Sequence, residues 1–150
     1  MGVFYYIRPF DEEMASLLEE MGAAVPDVDS PSRIPTPSEL RKVCVKLRDF
    51  KVEFNIKPKS HWQVVIDGTK SDKGTILNID NFNGAEDDPH EVIWFEKGSP
   101  SLILDIVRRV AEVCGPLVIW PDSDGPIAVT GKDSVKKLLN EWEHTQGRSD

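Results

Sequence analysis

An α+β fold, a two-layer arrangement with helices packed on one face of an antiparallel sheet, is what this 150-residue sequence predicts. Three observations lead there. Apolar residues recur at helical spacing in four separate stretches. Between Phe50 and Ile56 the period drops to two, as in a half-buried strand. The strand-like runs that follow are short and joined by turn signals, which makes a meander and then a C-terminal hairpin.

Taken in order, Val3 to Arg8 is a β-branched and aromatic run closed by Pro9, a first strand. Asp11 is placed to cap a helix whose first turn carries Glu12 and Glu13, carboxylates that favour the positive end of the helix dipole. Met14, Leu17, Leu18 and Met21 form its apolar stripe, and Gly22 supplies a left-handed C-terminal stop. Residues 23–36 hold Pro26, Pro31 and Pro35 and read as an extended loop. Thr36-Pro37-Ser38-Glu39 is a capping box with proline at the first helical position. It argues for a helix over 40–48, although Val43, Val45 and Leu47 also alternate as a strand would.

Phe50, Val52, Phe54 and Ile56 alternate with Lys51, Glu53, Asn55 and Lys57. Trp62 to Ile66, Thr75 to Asp80 and Glu91 to Glu96 complete the meander. Ser99-Pro100 opens the longest helix, with Leu102, Ile103, Ile106, Val107, Val110 and Val113 on one face, and Gly115-Pro116 stops it. Leu117 to Trp120 and Ile127 to Val129 form the hairpin. Val135, Leu138, Leu139 and Trp142 mark a last helix, with a frayed tail expected from His144.

The length fits a single domain over 1–150, one able to bury about 70% of its unfolded surface without disulfide or metal. Hydrophobic residues are 39% and charged residues 29%, ordinary values for a globular chain. No apolar run approaches the ~20 residues of a membrane helix. The opening Met1 to Tyr6 lacks the basic patch and apolar core of a signal peptide, so the expected location is cytoplasmic. Cys44 and Cys114 sit in apolar helical patterns and read as reduced core thiols. No cofactor motif is present: there is no Walker loop, dinucleotide fingerprint, nucleophile elbow or zinc spacing.

The net charge is −8 and unevenly spread. Residues 1–75 carry 11 Lys and Arg against 12 Asp and Glu, while residues 76–150 carry 7 against 14. Arg41 to Lys59 holds seven basic residues and two acidic ones; Asn78 to Glu96 holds six acidic residues and no basic one. Such a balance disfavours nucleic acid, whose phosphates need a positive surface. Charge runs of this kind commonly serve only as solvated faces and guarded strand edges. The functional alternative is a docking surface for a protein with a basic face, made of Asp80, Glu86, Asp87, Asp88 and Glu91 with Asp122 and Asp124.

Oxygen-rich segments can also hold divalent cations, and Asp80, Asp87, Asp88 and His90 are the residues that would form such a site or a small-ligand enzyme centre. The EF-hand template fails on this segment: aligning its glycine on Gly84 puts Ile79 at the first ligand position and His90 at the last. On Asp122-Ser123-Asp124-Gly125 it puts Trp120 and Gly131 there. Both segments are explained by turn chemistry. The chain is therefore expected to be a non-enzymatic interaction domain. Its format resembles that of bacterial immunity and other inhibitor proteins, which neutralise basic enzymes by surface complementarity, with no motif matched. A homo-oligomeric structural protein is the remaining alternative.

Overall fold

A computed structural model describes residues 4–23, 25–26, 32–57, 61–80, 92–121 and 125–146. In chain order the elements are β1 (Phe4–Pro9), α1 (Glu12–Glu20), α2 (Pro37–Val45), β2 (Phe50–Lys57), β3 (His61–Gly68) and β4 (Gly74–Asp80). They continue with β5 (Val92–Glu96), α3 (Pro100–Cys114), β6 (Leu117–Pro121), β7 (Ile127–Val129) and α4 (Val135–Gln146). The strands form one antiparallel sheet in the order β2-β3-β4-β5-β1-β6-β7. The expected meander is β2 to β5 and the expected hairpin is β6 and β7. Between them lies β1, where Tyr5 pairs with Phe95 on one side and Pro121 on the other.

The helix ends follow from their local chemistry. Asp11 adopts an extended conformation and its carboxylate accepts from the Met14 amide at 2.8 Å. At the other end of α1, Gly22 (φ 73°) donates to the Glu19 carbonyl at 3.1 Å and Ala23 to Leu18 at 2.9 Å. These paired bonds are a Schellman closure, which needs the left-handed backbone that glycine adopts without strain. The capping box settles 37–45 as helix: the Glu39 amide donates to Thr36 Oγ1 at 3.2 Å, and the Thr36 amide donates to Glu39 Oε1 at 2.9 Å. It satisfies amides that a strand would have left to a neighbour.

Alternation along the strands divides the sheet into two faces. Tyr5, Ile7, Trp62, Val64, Ile66, Leu77, Ile79, Ile93, Phe95, Leu117 and Ile119 point into the main core with α2, α3 and α4. Helix α3 contributes eight buried side chains, among them Ile103, Leu104 and Ile106 at 0% exposure. Each such residue contributes roughly 1.5–3 kcal/mol by leaving water. Val113, expected on that apolar face, lies on its flank in the last turn and is 58% exposed. Trp142 of α4 closes the core against Tyr5, ring centroids 5.2 Å apart.

Helix α1 departs from the one-face arrangement of the other three. Its Met14 and Leu18 pack with Phe10 against Val118 and Ala128, residues that alternate with the core-facing Leu117, Ile119, Ile127 and Val129. The sheet is thus covered on both sides at its β6–β7 end. Segment 32–36 is tied to the same end, with the Arg33 amide on the Cys114 carbonyl at 3.0 Å and the Ser32 hydroxyl on the Pro116 carbonyl. Among the described residues no helix is long and apolar enough to cross a membrane.

Candidate functional site

The pleat sends every second side chain of β2 to β5 and β1 away from the helices, onto a face that no described helix covers. One row crosses six strands. Asn55 pairs with Gln63, Gln63 with Asn78, Asn78 with Trp94, Trp94 with Tyr6, and Tyr6 with Trp120. Its right half is aromatic: Tyr6 is 37% exposed, and Trp94 and Trp120 are half-buried on either side. Helix α1 reaches only the edge of this row, where Trp120 joins its apolar contacts. Tyr6, Arg8, Trp120 and Pro121 line a shallow hollow of about 350 Å³.

The left half is polar and hydrogen-bonded. His61 Nε2 lies 2.9 Å from Asn78 Oδ1, and Gln63 Nε2 donates to the same oxygen at 3.4 Å. The His61 ring also leans on Trp94, centroids 5.7 Å apart. Asn78 is only 1% exposed, and its amide nitrogen finds no acceptor among the described residues.

A larger groove, about 910 Å³, runs past the end of α3 and the start of α4, lined by Arg33, Cys114, Thr130, Lys132, Asp133 and Lys137 among others. Of its charged lining residues, Arg33, Glu112, Asp133 and Lys137 are each held in an ion pair. Arg33 grips both Glu39 oxygens at 2.7 and 2.6 Å, and that bond above all lowers the Glu39 carboxyl to about 2. Lys137 is held by Asp133 at 2.8 Å, which raises its ammonium above the ordinary value. Burial, with Glu39 nearby, pushes the Cys114 thiol up to about 11, and burial alone pushes Cys44 to about 12. Both cysteines are buried and free. A thiol that stays protonated at neutral pH is a poor nucleophile.

No family model, curated protein or solved structure matches the chain.

The acidic residues singled out from sequence fall mostly outside the described residues: Glu86, Asp87, Asp88, His90, Glu91, Asp122 and Asp124 all do. Asp80 is placed through its backbone, as the last residue of β4, paired with His61 and Val92. Among the described residues no three His, Cys, Asp or Glu side chains are grouped to hold a metal ion. Strand direction separates the two acidic segments. The chain leaves β4 after Asp80 at the end of the sheet where Pro9 pairs with Leu117, but leaves β6 after Pro121 at the opposite end, beside Tyr5. Asp80 and Pro121 therefore stand at opposite ends of the sheet.

Sequence reasoning does not single out Tyr6, Gln63 or Asn78, and it marks Trp94 and Trp120 only through the abundance of tryptophan, four in 150 residues, which interfaces favour. Alternation in β1 carried the signal for Tyr6, since Tyr5 and Ile7 share the opposite face. For the others the missing information was strand order, which alone makes Trp94 and Trp120 neighbours of one tyrosine.

Proposed function

We propose that this chain is a non-enzymatic protein-interaction domain, of the inhibitor or immunity-like kind, which engages a partner with a basic surface through the open face of its sheet. The observation that carries the reading is the row Trp94–Tyr6–Trp120, set on three adjacent strands of a rigid sheet. Tryptophan and tyrosine are the side chains that most often dominate binding energy, because they bury large area at small rotamer cost. A preformed strand platform loses little order on docking.

The charge supports the basic partner. With a net charge of −8, and six acidic residues with no Lys or Arg between Asn78 and Glu96 in the sequence, the field favours a positive surface and raises its rate of encounter.

The test is affinity capture from the source organism's extract with immobilised wild-type chain and with a Tyr6→Ser, Trp94→Ser variant, at low and at high ionic strength. The expected result is a basic protein retained by the wild type, lost from the variant and released by salt. Equal retention by both, or retention indifferent to salt, counts against the reading.

A further inference from the structure

The two edges of the sheet are unequal. At one, β7 offers three residues; at the other, β2 offers eight, Phe50 to Lys57, paired with β3 on one side only. A long edge strand presents unmet backbone N–H and C=O groups and is a template for strand addition. Its helix-side residues Phe50, Val52 and Phe54 are only partly buried, packed against the core at its rim. On the open-face side, Lys51 and Glu53 are exposed, and neither forms an ion pair among the described residues.

We infer that β2 is an interface between two copies of this chain, joined antiparallel about a two-fold axis at Val52 so that their sheets run on as one. The charge pattern selects this register. With Val52 opposite itself, Lys51 faces Glu53 of the second copy and Glu53 faces its Lys51, two opposite-charge cross-strand pairs on one face. On the other face Phe50 meets Phe54 of the second copy and Val52 meets Val52, so the half-covered apolar rim is buried. Moving the axis by one residue sets Lys51 against Lys51 or Glu53 against Glu53, which is repulsive. The same charges that guard the edge against indiscriminate pairing thus admit one partner. Because the other edge is a three-residue strand, addition stops at two copies, an isologous and closed dimer.

The test is light scattering and sedimentation of the full chain over a range of concentrations. The wild type is expected to be dimeric. Lys51→Glu and Glu53→Lys should each weaken association on the order of tenfold, since each turns two attractive pairs repulsive. The double exchange Lys51→Glu, Glu53→Lys should restore it. An equimolar mixture of the two single variants should associate better than either alone, because one copy then carries only acidic and the other only basic residues at these positions. Far-UV circular dichroism and melting of each variant report that it is folded. A wild type that stays monomeric at every concentration overturns the proposal. So does a dimer indifferent to the single reversals, or one that the double exchange and the mixture fail to restore.

Discussion

Arg33 and Glu39 form a two-pronged ion pair at the mouth of α2, with the guanidinium nitrogens 2.7 and 2.6 Å from the two carboxylate oxygens. One of those oxygens also accepts the Thr36 amide, at 2.9 Å. Cap and ion pair therefore share one carboxylate, which anchors segment 32–36 and starts the helix together.

That sharing sets a pH dependence. Glu39 is lowered from 4.5 to about 2, chiefly by the Arg33 hydrogen bond, so the stability it contributes is fully present above 4.5. It is lost as pH falls through the interval from 4.5 to about 2. Glu39→Gln should lower stability at neutral pH by about 1 kcal/mol, the scale of a lost cap contact plus an exposed ion pair. It should also flatten the acid limb of the melting profile, measured by circular dichroism between pH 2 and 7 at roughly one-unit steps.

Gly98 is the position where a methyl group should do most harm for its size. Its φ is 114°, and a Cβ there would lie 2.2 Å from the Gly74 carbonyl oxygen and 2.7 Å from Thr75 Cβ. The turn is fixed by the Ser99 amide on that same carbonyl, at 3.1 Å, and by Thr75 Oγ1 on the Lys97 carbonyl, at 2.9 Å. Gly98→Ala should cost roughly 2–4 kcal/mol, a fall in melting temperature of about 5–15 °C by calorimetry.

The two thiols should be chemically silent while the chain is folded. With Cys44 at about 12 and Cys114 at about 11, thiolate is scarce at neutral pH, and both groups are buried. A chromogenic disulfide reagent at neutral pH should react with neither in the native protein and with both in denaturant. Rapid native reaction at either position would contradict this arrangement.

The two sheet faces should respond unequally to truncation. Phe95, 1% exposed and inside the main core, should cost about 3–5 kcal/mol as Phe95→Ala. Tyr6, one residue along β1 from the buried Tyr5, should cost under about 1 kcal/mol as Tyr6→Ser, since its ring is already partly in water. Chemical denaturation of the two variants gives the comparison directly.

Most of the secondary structure was legible because short-range rules govern it. The capping box at Thr36 and Glu39, the stop at Gly22 and the alternation from Phe50 to Asn55 all sit where the sequence places them. Long-range pairing was not legible. Nothing near Val3 to Arg8 announces that the strand belongs between Val92–Glu96 and Leu117–Pro121. The placement of α1 on the far face had the same origin: Met14, Leu17 and Leu18 declare an apolar stripe but not which side of the sheet receives it. The candidate site was missed for that reason too. Composition and charge direct attention to acidic turns, whereas the aromatic row exists only once strand order brings Tyr6 between two tryptophans.

The position of β1 also shapes the route by which the chain acquires its structure. The meander β2 to β5 pairs neighbours in sequence and can close quickly; the hairpin β6 and β7 is equally local. Only β1 joins the two, and it must find partners at Val92–Glu96 and Leu117–Pro121, a search across most of the chain that is entropically expensive. Insertion of that strand is then expected to follow the local pairings, an order that pulse-labelled hydrogen exchange of the β1 amides would read. Were β1 to join last, the adjoining edges of β5 and β6 would stand open in the meantime, and refolding yield should then fall as protein concentration rises.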